Sequence, residues 1–95
     1  MDYIFTNNID DVRSYYKRKY KKIFDALESK NANNFKIDTS CYQYLEVKCE
    51  IHGRYFRVNV GINNKYNTWF KTNYNGVKRN AFITMREVAE YIKTL

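Results

Sequence analysis

Lys17-Arg18-Lys19-Tyr20-Lys21-Lys22 puts five cations into six consecutive positions. Cations grouped this densely do one kind of chemistry, which is to hold anions. Arg13 and Tyr15 flank the run, and the chain carries a formal net charge of +7. Within the run, Arg13/Lys17, Lys17/Lys21 and Arg18/Lys22 repel one another at helical i,i+4 spacing, by a few tenths of a kcal/mol per pair. A surface built only for solvation more often alternates its signs. The run therefore accounts for much of the net charge in this reading. The expected partner is nucleic acid or a nucleoprotein complex, with Lys17, Arg18, Lys21 and Lys22 supplying charge.

Two further groups could extend such a surface. Lys48 and Arg57 fall opposite each other if residues 42–61 fold as a hairpin, with Tyr42, Tyr44 and Tyr55 on the same face. Aromatics interleaved with cations can stack on bases while the charges hold the backbone. Glu46 and Glu50 are diagonal neighbours that would neutralise the opposed pair, which is the plainer account. Trp69, Lys71 and Lys78-Arg79 form the other group. Trp69 reads first as a core residue because of its large apolar area.

Catalytic chemistry is poorly served. His52 is the single histidine and sits in a tight turn, and Cys41 and Cys49 are the only cysteines. Structural zinc prefers four Cys/His ligands, so no metal is expected. No Ser/His/Asp, Cys/His or paired-carboxylate spacing is present, and Gly53, Gly61 and Gly76 are too dispersed for a phosphate-cradling loop. Asp10-Asp11 are explained by a helix N-terminus. The expectation is a non-enzyme without cofactor.

These residues must be positioned by elements that the pattern announces. Ile9, Val12, Tyr16, Tyr20, Ile23, Phe24 and Leu27 fall on one side of a helix spanning 9–29, with Asn8 as its cap. Lys17, Arg18, Lys21 and Lys22 take the opposite side, and the Asn31-Ala32-Asn33-Asn34 cluster ends the helix. Folding the chain at His52-Gly53 pairs Cys49 with Phe56, Val47 with Val58 and Leu45 with Val60, all apolar and on one face. Asn75-Gly76 predicts a second hairpin, pairing Tyr74 with Val77, Thr72 with Arg79, Phe70 with Ala81 and Trp69 with Phe82. Met1–Thr6 could add a short edge strand. Thr84-Met85-Arg86-Glu87 is a capping box, after which Met85, Val88, Ala89, Ile92 and Leu95 share a helix face.

The 95 residues therefore predict one α+β domain. Its N-terminal helix, antiparallel sheet of three to four strands from two hairpins, and C-terminal helix form two layers. No apolar run approaches the ~18 residues of a membrane span, and the N-terminus lacks a signal-peptide pattern, so a cytoplasmic protein is expected. Twelve asparagines, eleven lysines, ten tyrosines and no proline follow AT-rich codon usage, as in low-GC bacteria, their phages and mobile elements.

The helix–strands–helix order resembles a double-stranded-RNA-binding domain, although the start of the last helix reads Thr84-Met85-Arg86-Glu87 and is nearly neutral. The sheet followed by Phe82-Ile83-Thr84-Met85-Arg86-Glu87-Val88-Ala89 is similar to the AP2-like arm-binding domains of phage integrases. That resemblance implies a three-stranded sheet laid in a DNA groove. Size and composition look like those of small phage-encoded inhibitors, anti-CRISPR proteins among them. No residue role is carried over from these families.

The leading expectation is a small binding protein whose basic helix engages nucleic acid or a nucleoprotein complex, in the host cytoplasm if phage-encoded. The alternative is a protein-directed inhibitor or adaptor that binds a host effector through its aromatic-rich, basic surface. Self-association as a homodimer through strand edges is a third reading.

Overall fold

The computed structural model describes residues 2–6, 14–41, 44–62, 68–82 and 84–95. Strand β1 (Asp2–Thr6) precedes helices α1 (Ser14–Lys19) and α2 (Lys21–Ser29); β2 (Asn33–Cys41), β3 (Tyr44–Ile51), β4 (Arg54–Ile62), β5 (Thr68–Tyr74) and β6 (Val77–Phe82) follow, and α3 (Met85–Lys93) closes the chain. The six strands among the described residues are antiparallel and lie in sequence order, a simple meander. The α+β class is as expected, but the strand count is corrected upward and the first helices sit between two strands.

The added strands have identifiable causes. β1 is the edge strand that residues 1–6 hinted at, with Ile4 paired to Ile37. β2 alternates, with Phe35 and Ile37 buried and Lys36 and Asp38 half-buried. Its opening Asn33-Asn34 resembles a helix stop, and Asn, Lys and Asp are poor strand formers, which hid the period. Asn34 takes φ 56°, and the β2–β3 register shifts between Asn33 and Lys36.

The long first helix is also corrected. Tyr20 (φ −117°, ψ 39°) leaves helical geometry and divides α1 from α2. The break lies inside the basic run, where like charges four apart weaken a continuous helix. The inward stripe survives it: Tyr16, Ile23, Phe24 and Leu27 are buried, and Tyr20 packs against the core. Positions Asn8, Ile9, Asp10, Asp11 and Val12 lie outside the described residues. The C-terminal stop is as expected, with Asn31 at φ 54° and the Ala32 amide donating to the Leu27 carbonyl at 3.1 Å.

The first hairpin has the expected register throughout, including Cys49↔Phe56, Val47↔Val58 and Leu45↔Val60. His52 and Gly53 both take positive φ, as a type I′ turn requires. The second hairpin turns at Asn75-Gly76 and pairs Tyr74 with Val77 and Thr72 with Arg79. A bulge then brings Phe70 opposite Phe82, where Ala81 was expected. The extra residue keeps both rings on the apolar side, where Phe82 packs at 5.3 Å on Tyr91 of α3.

One sheet face is apolar and one is polar, because side chains alternate along every strand. Ile37, Val47, Ile51, Phe56, Val58 and Phe70 form a single buried cluster with Ile23, Phe24 and Leu27 of α2 and Val88 and Ile92 of α3. The helices thus cover the apolar face. In α3 the Thr84 cap is reciprocal: the Glu87 amide donates to Thr84 Oγ1 at 3.2 Å, and the Thr84 amide donates to Glu87 Oε1 at 3.0 Å. Among the described residues, no helix is long and apolar enough to cross a membrane.

Candidate nucleic-acid interface on the open sheet face

The second face of the sheet has no helix over it among the described residues, and its register brings distant residues into rows. Lys36 pairs with Lys48, Lys48 with Arg57, Arg57 with Asn73, and Asn73 with Lys78. Each pair lies directly across neighbouring strands, so one row crosses five strands and contains four cations. Strands about 4.8 Å apart make this row about 19 Å long. The adjacent row runs Asp38, Glu46, Asn59, Lys71. Beyond it, Gly61 lies opposite Trp69.

The two halves of this face differ electrically. On β2 and β3 the signs are mixed. Lys48 Nζ lies 3.2 Å from Glu46 Oε1, Asn59 Nδ2 donates to Glu46 Oε2 at 2.9 Å, and Asn34 Nδ2 donates to Glu50 Oε2 at 2.7 Å. On β4, β5 and β6 there is no acidic residue at all. That half carries Arg57, Lys71 and Lys78 with Tyr55 and Trp69, while Asn59 and Asn73 on the same face are buried. Lys71 and Lys78 are exposed, and Arg57 is half-buried with its Nε lacking a hydrogen-bond partner among the described residues. Asn73 Oδ1 accepts from the Gly76 amide at 2.9 Å, tying the row to the β5–β6 turn.

Trp69 is the sharpest correction to the sequence reading. It stands on the open face, away from the core, because Phe70 takes the inward position on β5. Its ring occupies the space above Gly61, where a Cβ would overlap the indole carbons. Lys71 Nζ lies over the ring, 5.0 Å from its centroid, a cation–π geometry.

The predicted site residues do not converge. Arg13 lies outside the described residues, and of Tyr15 only the backbone, in α1, is described. Lys17, Arg18, Lys21 and Lys22 sit on the outward side of α1 and α2, with the core and the whole sheet between them and Lys48, Arg57 and Lys78. Their surroundings are mixed in sign. Lys21 Nζ bonds Asp25 Oδ2 at 2.7 Å, and this hydrogen bond, then the Asp25 charge, raises the Lys21 pKa. A shallow hollow of about 300 Å³ beside Lys17, Arg18 and Lys21 is also lined by Asp25 and Glu28. A second, of about 430 Å³ between α2 and α3, sets Lys22, Arg86 and Lys93 against Asp25 and Glu90. Arg79 turns to the helix side of β6, where its guanidinium carbon lies 4.8 Å from the Tyr91 ring centroid.

A second acid-free stretch lies farther along the chain. Between Ile51 and Arg86 there are seven cations and no acid; the rest of the chain holds ten of each. Residues 12–24 likewise hold six cations and no acid, so the net charge is shared between the basic run and the stretch from Ile51 to Arg86. That acid-free stretch is the sequence signal that points to Lys71 and its neighbours.

Among the described residues, the groups considered for catalysis stand apart from one another. His52 is exposed, with Nε2 3.4 Å from the Leu95 carbonyl oxygen. Cys49 is buried among apolar side chains, and burial, aided by the Glu50 charge, pushes its thiol up to about 12. Among the described residues, no three His, Cys, Asp or Glu side chains gather as a metal site would require. No family model, curated protein or solved structure matches this chain.

Proposed function

We propose that this protein is a non-catalytic binding protein for nucleic acid, bare or within a nucleoprotein complex, and that the β4–β6 half of the open sheet face is its contact surface. The observation that carries this reading is the grouping of Arg57, Lys71 and Lys78 with Trp69 on strands that contain no acid. Lys48, directly opposite Arg57, is paired with Glu46 at 3.2 Å, so the charge offered to a ligand centres on Arg57, Lys71 and Lys78. The cations of α1 and α2 lie on the opposite side beside Asp25, Glu28 and Glu90 and contribute to overall charge, not to the contact.

A protein target is less well supported. Protein interfaces centre on a desolvated apolar patch. The large exposed hydrophobics among the described residues, Tyr55 and Val77, stand on opposite sides of the sheet.

The test is binding of labelled DNA and RNA by fluorescence anisotropy across a salt series. If three phosphates are neutralised, a log–log slope near −2 is expected for a single strand, so affinity falls about 20-fold between 50 and 200 mM salt. Binding that ignores salt, or none at low salt, defeats the proposal.

A further inference from the structure

The shape of this face and the position of Trp69 narrow the ligand class, given the nucleic-acid reading above. We infer that the open face takes single-stranded nucleic acid, with one base stacked on Trp69 and the neighbouring phosphates held by Arg57, Lys71 and Lys78.

Shape comes first. The major groove of duplex DNA is about 12 Å wide and admits a helix or a two-stranded ribbon. The six strands here are fully paired side by side and span about 24 Å. Such a face is too wide to enter an undeformed groove, so the three-stranded groove insertion implied by the integrase resemblance does not fit. Against a duplex, this surface reaches only outer phosphates and Trp69 meets nothing. A single strand presents splayed bases and phosphates together.

Trp69 comes second. Its ring adds nothing to the helix-covered core, since it projects from the other side of β5. The sheet nevertheless accommodates it: Gly61 directly opposite leaves the space that any side chain would fill. A half-buried indole seated over a glycine, beside exposed Lys71, is an aromatic platform held in place by its own sheet. Base–aromatic stacking on such platforms is sequence-tolerant because every base has a π-face. Lys71 marks the accessible π-face of the ring. When a base takes that place, the flexible ammonium shifts to the adjoining phosphate. Along β5, Trp69, Lys71 and Asn73 recur on this face at every second residue, about 7 Å apart, and Arg57 and Lys78 flank Asn73 on either side. Base platform and phosphate contacts therefore lie side by side on adjacent rows.

Trp69 is the chain's single tryptophan, so intrinsic fluorescence reports on it alone. The intact protein is titrated at low salt with oligo(dT) and oligo(U) of about 12 nucleotides, within the usual site size for such surfaces, with a blunt duplex of the same length, and with heparin. Single strands are expected to quench Trp69 emission by more than half and to bind at least tenfold more tightly than the duplex. Heparin, which has no bases, should bind without comparable quenching. The tighter of oligo(dT) and oligo(U) identifies DNA or RNA as the source of the strand. Trp69→Phe should keep most of the affinity and Trp69→Leu should lose roughly tenfold, with thermal melts verifying that both fold. If single strands and duplex bind alike and leave the emission unchanged, the single-strand inference is overturned while the nucleic-acid reading stands. If no nucleic acid binds at low salt, both fall.

Discussion

The outward side of the helices and the open face of the sheet carry similar numbers of described cations, yet they present different fields. On the helices, Lys17, Arg18, Lys21 and Lys22 are close in sequence and share their surface with Asp25, Glu28 and Glu90. On β4–β6, Arg57, Lys71 and Lys78 are far apart in sequence; Arg57 has Glu46 and Glu50 diagonally across on β3, whereas Lys71 and Lys78 have no acid on their own or the adjoining strands. Exposed charges act on one another within a Debye length of about 8–10 Å, so a surface is read by its spatial neighbours and not by its run length. A helix brings the residues of the next turn, here Asp25, back beside Lys21. A strand sends alternate residues to opposite faces and pairs the remainder with other strands. The densest basic run of the chain is thus the more compensated surface, and the scattered cations make the less compensated one.

Both surfaces rest on the same core, and the strongest perturbation tests that unity. Phe56→Ala empties the centre of the cluster between β4 and the helices and should cost about 3–5 kcal/mol. Denaturant unfolding followed by Trp69 fluorescence on the sheet side and by far-UV circular dichroism dominated by the helices should give one coincident transition. Two separated transitions would mean that the regions are independent units.

Charge reversal separates the surfaces functionally. Arg57→Glu with Lys71→Glu and Lys78→Glu should weaken nucleic-acid binding on the order of a hundredfold at low salt, since each lost phosphate contact removes one increment of counterion release. Lys17→Glu with Arg18→Glu, Lys21→Glu and Lys22→Glu, measured in the same anisotropy assay, should cost less than about tenfold despite the larger change in charge, because it alters only the distant field. A greater loss from the helix variant would reverse the comparison.

Gly61→Ala sharpens it on the sheet side alone. The new methyl must displace the indole, costing about 1–3 kcal/mol by the usual penalty for overpacking. A red-shifted Trp69 emission and a lowered melting temperature are the readouts, and an unchanged emission spectrum would refute the packing described. On the helix side, Thr84→Ala removes the reciprocal cap and should lower stability by about 1 kcal/mol. Nucleic-acid affinity should stay unchanged if α3 lies outside the contact surface.

The smallest effect at neutral pH concerns Cys49. Its folded-state thiol is raised to about 12, above the unfolded value, so the folded protein holds this proton more tightly. The associated stability is fully present below about pH 8.5 and is lost progressively as pH rises from there toward 12. In a Cys41→Ser background, a thiol reagent at pH 8 should label Cys49 only as fast as the protein opens. Rapid labelling of the folded protein would contradict its burial.

Much of the fold was legible locally. The His52-Gly53 turn and three apolar pairs specified the β3–β4 register, because a slip of one residue would have sent Val47 and Val58 to solvent. Thr84 and Glu87 announced α3 through a bond pattern that needs only four consecutive residues. β2 was hidden because its pairing partners lie elsewhere in the chain. The continuity of the first helix failed at Tyr20, where local periodicity gives no sign of a break. The candidate site was legible only in parts: Lys48 with Arg57, and Trp69 and Lys71 with Lys78-Arg79, were named as separate groups, but Trp69 read first as core, Arg79 faces the helices, and the others lie opposite the basic run.

By itself the sequence determined composition, net charge, the turns and caps, and the inward stripe of each amphipathic element, since these depend on residues within a few positions of one another. Tertiary structure decided which cations share a surface, that Trp69 stands outward above Gly61, and that the acid-free stretch from Ile51 to Arg86 places Arg57, Lys71 and Lys78 together on one face. These outcomes depend on cross-strand register and on which sheet face the helices cover. Both are set by burying one common core and not by any local stretch of chain.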